Sequence, residues 1–260
     1  MESRIQSYLR VAASHQRETA QIGSFLATFS PSSDDPFLNY AIPNDNAKPS
    51  PAEVNALIVA YEKRSRQPRL EYVSQLAPAV EMALLDAGFC VEGNLPLMTC
   101  IPGSEQILPV PPGVELILPV SDSPRERLHQ RDLLATVAVQ HEAYSAPPPD
   151  AGAIDRLRIS LAAGGIAVLA RIIATGEPVG AGVCTVPSDG TTEIAGIGVR
   201  AAFRRRGVAG AIVSRLLQTA VAAGVEVPFL MAAHEAEARI YQRAGFSEIG
   251  KILHISHPQI

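Results

Sequence analysis

The sequence predicts an α/β protein, a mixed sheet with helices on both faces, and three observations carry that expectation. Hydrophobic residues make up 47% and charged residues 18% of 260, so the bulk of the chain has enough apolar surface to fold around a core. From residue 114 onward, strand-like and helix-like segments alternate in the order β-α-α-β-β-β-α-β-α-β. Within that run, Thr175-Gly176-Glu177-Pro178 joins two β-rich segments as the turn of an antiparallel hairpin, while the later strands are joined through helices. Hairpins plus crossovers define a mixed sheet.

In the first half the pattern is less regular. Residues 3–20 suit one helix, 21–30 a strand, 31–51 a loop with a short strand at 37–42. Ser50-Pro51-Ala52-Glu53 has the form of a helix start, with Ser as cap, Pro at the first helical position and Glu reaching back. Helix follows to about Arg66, strand over 70–73, and helix over 78–87 ending at Gly88. Pro109, Pro111, Pro112 and Gly113 resist helix and central strand alike, which sets a boundary between domains 1–112 and 113–260.

In the second half, strand is expected over 114–120, helix over 125–144 and 151–164, and strands over 165–174, 179–187 and 193–199. Helix over 208–223, strand over 227–233, helix over 235–244 and strand over about 247–255 complete it. Residues 52–89 and 209–246 both read helix, strand, helix and end in Ala-Gly-Phe, an echo that points to duplication.

Formal net charge is -4, which disfavours nucleic acid as a partner, and no apolar run is long enough for a membrane span. Cys90, Cys100 and Cys184 form no paired motif and are expected as buried thiols in a reducing compartment. The N-terminal segment is polar and amphipathic, without the apolar core of a secretory signal, so the expected location is cytoplasmic.

Residues 197–210, Ile-Gly-Val-Arg-Ala-Ala-Phe-Arg-Arg-Arg-Gly-Val-Ala-Gly, carry the chemistry. A strand ends, Arg204, Arg205 and Arg206 follow, and Gly207, Val208, Ala209 and Gly210 open a helix. A helix start presents unpartnered N–H groups and the positive end of a dipole. Glycine and alanine keep the approach clear, and guanidinium groups suit phosphate oxygens. The segment reads as a pyrophosphate cradle or, more plainly, as a basic turn that caps a helix.

This segment resembles the acetyl-CoA pyrophosphate loop of the GNAT superfamily of N-acetyltransferases, whose pattern Arg/Gln-x-x-Gly-x-Gly/Ala is matched by Arg204-Arg205-Arg206-Gly207-Val208-Ala209. Residues 238–246, with Tyr241 followed by Gly245-Phe246, are similar to the closing helix of that family. The resemblance covers about 114–260. Residues 1–112 look like a degenerate copy without the loop motif, a tandem arrangement with one cofactor site. Two positions depart from the pattern: Ala201 stands where the family often has Pro, and His234 where many members have Asn.

The resemblance implies direct transfer of an acetyl group from acetyl-CoA to an amine. The expected acceptor is a small molecule; a protein or peptide amine, or a non-catalytic acyl-CoA sensor, are the alternatives. It implies Tyr241 as the acid that protonates the departing thiolate, unless its ring only packs and positions the sulfur. It implies Glu193 as the base serving the amine, unless Glu193 pairs with an arginine at the sheet edge. Glu193 lies six residues before Val199 on one strand, so both side chains are expected on the same face. The backbone of Ile197, Gly198 and Val199 is expected to pair with the pantetheine arm. His234 either helps hold the cofactor or caps a helix. His141-Glu142 is a substrate contact or a solvated face. His254 and His257, three apart on a strand, face opposite sides, so no metal is expected. A monomer or homodimer is expected.

Overall fold

The computed structural model describes residues 1–31, 33–120 and 126–258. Residue 32, in the expected 31–51 loop, and residue 125, expected to begin a helix, lie outside them. The chain divides into two compact units: Met1–Leu97 with Met231–His234 and Glu248–Ile260, and Met98–Leu230 with Glu235–Ser247. The division does not follow the expected cut at 112/113. Residues 98–112 fold with the second unit, where Gln106 N donates to Ala244 O (3.0 Å) and Leu108 N to Ser214 Oγ (3.1 Å). The last strand folds with the first unit.

The first unit contains α1 (Glu2–Ser14), β1 (Glu18–Ile22), β2 (Phe25–Phe29), β3 (Ala41–Pro43), α2 (Pro51–Glu62), β4 (Arg69–Val73), α3 (Pro78–Asp86) and most of β5 (Cys90–Thr99). The single helix expected over 3–20 stops at Ser14, and the strand expected over 21–30 is a hairpin tip plus β2, because Gly23 turns the chain at φ +53. The short strand expected at 37–42 begins later; Pro36–Leu38 is a 3-10 turn held by Asp35 Oδ1, which accepts from Phe37 N at 2.9 Å. The helix start at Ser50 is a complete capping box: Ser50 Oγ accepts from Glu53 N at 3.3 Å, and Glu53 Oε2 accepts from Ser50 N at 2.8 Å. The sequence gives little sign of β5, because Gly93 and Pro96 interrupt it.

The second unit continues with β6 (Val114–Ile117), α4 (Glu126–Ala143), α5 (Ala151–Ala162), β7 (Ile166–Ile172), β8 (Pro178–Cys184), β9 (Thr191–Val199), α6 (Val208–Ala222), β10 (Val227–Met231) and α7 (Glu235–Arg243); the chain then ends in β11 (Ser247–Ser256). The order matches the expected β-α-α-β-β-β-α-β-α-β run. β6, β7, β8 and β9 are antiparallel in succession, and β9 is parallel to β10. Helices cover both faces of this sheet. Val139 of α4 packs with Leu169 and Ala181 on one side. On the other, α6 lies so close that a Cβ at Gly180 would come within 2.8 Å of Ile212 Cδ1 and Val208 Cγ1. Among the described residues no helix is long and apolar enough to cross a membrane.

In the first unit the strand order is β1-β2-β3-β4-β11-β5. β11 runs antiparallel to β4, with Ile252 opposite Val73 and Ser256 opposite Arg69. Ile252, Leu253 and Ile255 are fully buried, and burial of this kind contributes about 1.5–3 kcal/mol per large aliphatic side chain. Arg69, 1% exposed, bonds Glu92 through Nε (3.0 Å), Glu71 through Nη1 (3.1 Å) and His254 Nδ1 through Nη2 (3.1 Å). His257 instead stacks edge-on against Phe89 at 5.2 Å. The two histidines thus serve different neighbours, and no group of three or more metal-binding side chains occurs among the described residues.

Burial of the thiols pushes Cys184 up to about 12 and Cys100 up to about 11, whereas Cys90, also expected inside, is exposed at the start of β5. Burial also pushes the His254 imidazole below its ordinary 6.5, against the opposing pull of Glu71, while Arg69 adds to the lowering. The unfolded chain therefore binds a proton at this site more readily than the native one. The contribution to stability is full above about pH 6.5 and declines as pH falls. Urea midpoints are expected to drop between pH 7.5 and 5.5, and His254→Gln to flatten that slope; an unchanged slope in the variant would remove His254 as its source.

Candidate active site

The second unit's site begins with a defect in β9. Ala181 and Val183 of β8 face Gly198 and Ala195, so two residue steps of β8 span three of β9. The extra residue makes a β-bulge at Gly196, which takes φ +60. Cys184 lies on the α6 side, its Sγ 3.9 Å from Leu216 O, and its cross-strand partner Ile194 shares that side. Glu193 therefore faces α4. Beyond the bulge, a Cβ on Gly198 would meet Ala143 Cβ of α4 at 2.8 Å, so Val199 faces α6. The expectation that Glu193 and Val199 share a face fails: the bulge adds one residue and inverts the alternation.

The bulge coincides with a parting of strands. β9 pairs with β10 only from Thr191 to Glu193, opposite Val227 to Phe229, yet continues to Val199 against β8. Arg200 N donates to Val179 O at 2.9 Å, toward β8. By strand alternation, Ile197 and Val199 turn their backbone groups the other way, toward the parted edge. Their carbonyls are engaged: Ile197 O accepts from Tyr144 Oη (3.3 Å) and Val199 O from Arg204 Nε (3.0 Å), while Gly196 O accepts from Gln140 Nε2 (2.9 Å).

Past β9, the chain enters α6 through Gly207 at φ +87. No side chain caps this helix, and its first internal bond is Ala211 N to Gly207 O (3.1 Å). Helix geometry leaves the N–H groups of Val208, Ala209 and Gly210 without intrahelical acceptors. Val208's side chain is buried, so the residue presents only backbone outward. The glycines of the loop have separate duties. Gly207 is exposed, but Gly210 is buried because a Cβ there would meet Leu108 Cδ1 at 2.9 Å; it serves packing rather than approach. The arginines divide as well. Arg204 spans Val199 O and Ala143 O (3.4 Å), tying α4 to the end of β9. Arg205 and Arg206 are exposed, the latter with its Cζ 5.5 Å from the centre of the Phe203 ring.

α7 supplies Tyr241, 6% exposed, whose ring meets Phe246 edge-on at 6.4 Å. Burial pushes its phenol well above the ordinary 10, and Glu237, one helical turn earlier, and Tyr144 push the same way. His234 is exposed directly before α7, in the 231–234 segment that belongs to the first unit. His141 and Glu142 are held structurally: His141 Nδ1 bonds Pro147 O (2.5 Å) and Glu142 pairs with Arg200 (2.9 Å). The residues that reach the site from this end of α4 are their neighbours, Gln140 on the helix and Tyr144 in the turn just past it. Neither belongs to a recognisable motif; the signal the sequence offers is their spacing of four around His141.

Residues 133–246 match the acetyltransferase (GNAT) family. Over these residues the chain is therefore similar to the N-acetyltransferases of the GNAT family. Among solved structures it is similar to a GCN5-related N-acetyltransferase from Kribbella flavida (24% identity, 100% of this chain and 96% of that one, TM-score 0.77). It is also similar to one from Sphaerobacter thermophilus (17% identity, 93% and 84%, TM-score 0.64) and to a tandem GNAT protein of the clavulanic acid biosynthesis pathway (12% identity, 91% and 79%, TM-score 0.59). At these identities the likeness is one of fold. No curated protein sequence matches significantly.

Gly196→Ala tests the bulge. A Cβ at this φ collides with Gln140 Nε2, and left-handed backbone is unfavourable for alanine by roughly 1–2 kcal/mol. A urea midpoint lowered by about that energy is expected; an unchanged midpoint would mean that the bulge does not need glycine.

Proposed function

We propose that the chain transfers an acetyl group from acetyl-CoA directly to the primary amine of a small, cationic molecule. The observation that carries this reading is the conjunction, in one unit, of a parted strand edge at Ile197 and Val199 with an uncapped helix start at Gly207. An extended pantetheine arm pairs with the former as an added strand. A pyrophosphate rests on the latter, with Arg205 and Arg206 as its exposed cations. The site fits the cosubstrate because no side chain caps α6 and a Cβ at Gly207 would come no nearer than 3.7 Å to Pro111 Cγ.

On this reading Ile197 N–H faces the thioester oxygen and stabilises charge that develops there. Tyr241 keeps its proton until the thiolate departs, because burial disfavours the phenolate. Glu193, turned toward α4 by the bulge, takes a proton from the amine, directly or through water. The choice of a cationic acceptor rests on the carboxylates of Glu193 and of Glu237, which precedes Tyr241 by one turn on α7.

The first unit serves as a degenerate, non-binding copy. Its β3-α2-β4 segment parallels β9-α6-β10, but α2 is closed by its own capping box, and Pro51 removes one donor. A single acetyl-CoA per chain follows, and calorimetry is expected to give a stoichiometry near one. No heat with acetyl-CoA or CoA from the folded protein would overturn the reading. With a panel of amines, acetyl-CoA should release free thiol, and Tyr241→Phe should lower kcat by about a hundredfold or more while cofactor affinity stays within about threefold. Full activity in that variant would remove Tyr241 from proton transfer.

A further inference from the structure

We propose that Gln140 and Tyr144 are positioning residues that lock the backbone of the β9 bulge and so aim the Ile197 N–H at the thioester; this rests on the acetyl-CoA reading above. The two side chains stand four apart at the C-terminal end of α4 and Tyr144 N still bonds Gln140 O at 3.0 Å, so both project from one helix face. They donate to two successive carbonyls, Gly196 O at 2.9 Å and Ile197 O at 3.3 Å.

A peptide group is rigid and planar, with its C=O and N–H pointing in opposite directions. Holding Gly196 O therefore fixes the direction of Ile197 N–H, and holding Ile197 O fixes that of Gly198 N–H. In a central strand, ladder bonds on both sides do this. Here the pairing with β10 has ended at Glu193, and the bulge has loosened the register with β8. Gly196 has no Cβ to restrict its rotation. The two α4 donors supply the restraint that the missing ladder does not. Gln140 is half-buried; Tyr144 is 60% exposed, and its hydroxyl makes no other bond among the described residues that a fold would need.

The test uses the full chain and acetyl-CoA labelled with carbon-13 at the acetyl carbonyl. Wild type, Tyr144→Phe, Gln140→Leu and the double variant are compared for the carbonyl signal of the bound thioester, for CoA affinity by calorimetry, and for kcat and KM. In the wild type the bound signal should be displaced from its value in free solution. In the double variant at least half of that displacement should vanish and kcat should fall about tenfold or more, while CoA affinity, set by the α6 start, stays within about threefold. Tyr144→Phe removes only an exposed hydroxyl, so its partial loss of displacement carries the test should Gln140→Leu not fold. A wild-type displacement retained in Tyr144→Phe and in every folded Gln140 variant overturns this proposal and leaves the acetyl-CoA reading standing. A bound signal with no displacement in the wild type overturns it together with the role given to Ile197 N–H, and leaves acetyl-CoA binding at the α6 start standing. Absence of acetyl-CoA binding by the wild type overturns the parent reading and this one with it.

Discussion

A strand that leaves its neighbour in the middle of a sheet exposes backbone groups that protein interiors ordinarily pair, and the second unit is arranged around that problem at β9. Pairing with β10 stops at Glu193, six residues before β9 ends. The carbonyls so released are taken up by side chains from two other elements: Gln140 and Tyr144 of the α4 end, and Arg204 of the loop that follows β9. The amides of Ile197 and Val199 remain directed at the gap. The density of glycine nearby follows from the same constraint. Gly180 and Gly182 let α6 press on one face, and Gly198 lets α4 press on the other, so the distorted strand is gripped from both sides although it lacks one lateral partner. Small residues here are a packing requirement with a chemical result.

The two units show how little separates a helix start whose donors are already satisfied from one whose donors stay open. Both place a helix between parallel strands, β3 and β4 in the first and β9 and β10 in the second. At α2 the orphan donors are consumed locally: Ser50 and Glu53 cap each other's backbone, and Pro51 has no N–H to offer. At α6 a left-handed glycine leads in, no acid stands in the first turn, and three basic residues precede it. The dipole and the geometry are the same in kind; the side chains decide whether they are already satisfied.

Much of this was legible in the residues. The second unit's element order followed from periodicity and turn chemistry, and the Ser50 capping box from four letters. Non-local facts were not legible. β11 reads as a terminal strand, but its partner β4 lies far earlier in the chain, and no local pattern announces such a pairing. β5 was hidden because Gly93 and Pro96 carry the signature of a loop. The bulge is the instructive case. A lone glycine inside an apolar strand signals a break in alternation, and Gly196 is that glycine, yet counting six residues from Glu193 to Val199 assumed a uniform strand. The run of three arginines misled in the same way: composition shows the charges, but only packing shows that Arg204 is spent on two carbonyls.

The environment of Tyr241 bears on the chemistry in a way that its side chain alone does not. A phenol whose ionisation is disfavoured by burial is a weak acid toward water. Toward a thiolate released beside it, as the proposed reading requires, the comparison changes, since the same exclusion of solvent that opposes a phenolate also opposes a bare thiolate. What matters for proton transfer is the difference between donor and acceptor, and a shared desolvated setting shifts both in one direction. Glu237 tilts the balance further against a second negative charge at this end of α7. On the proposed reading the carboxylate thus does two things from one position. It keeps the proton on Tyr241 until a stronger base than water is present, and it attracts the cationic form of the acceptor, which Glu193 must then neutralise. An acceptor without a positive charge would use only the first of these.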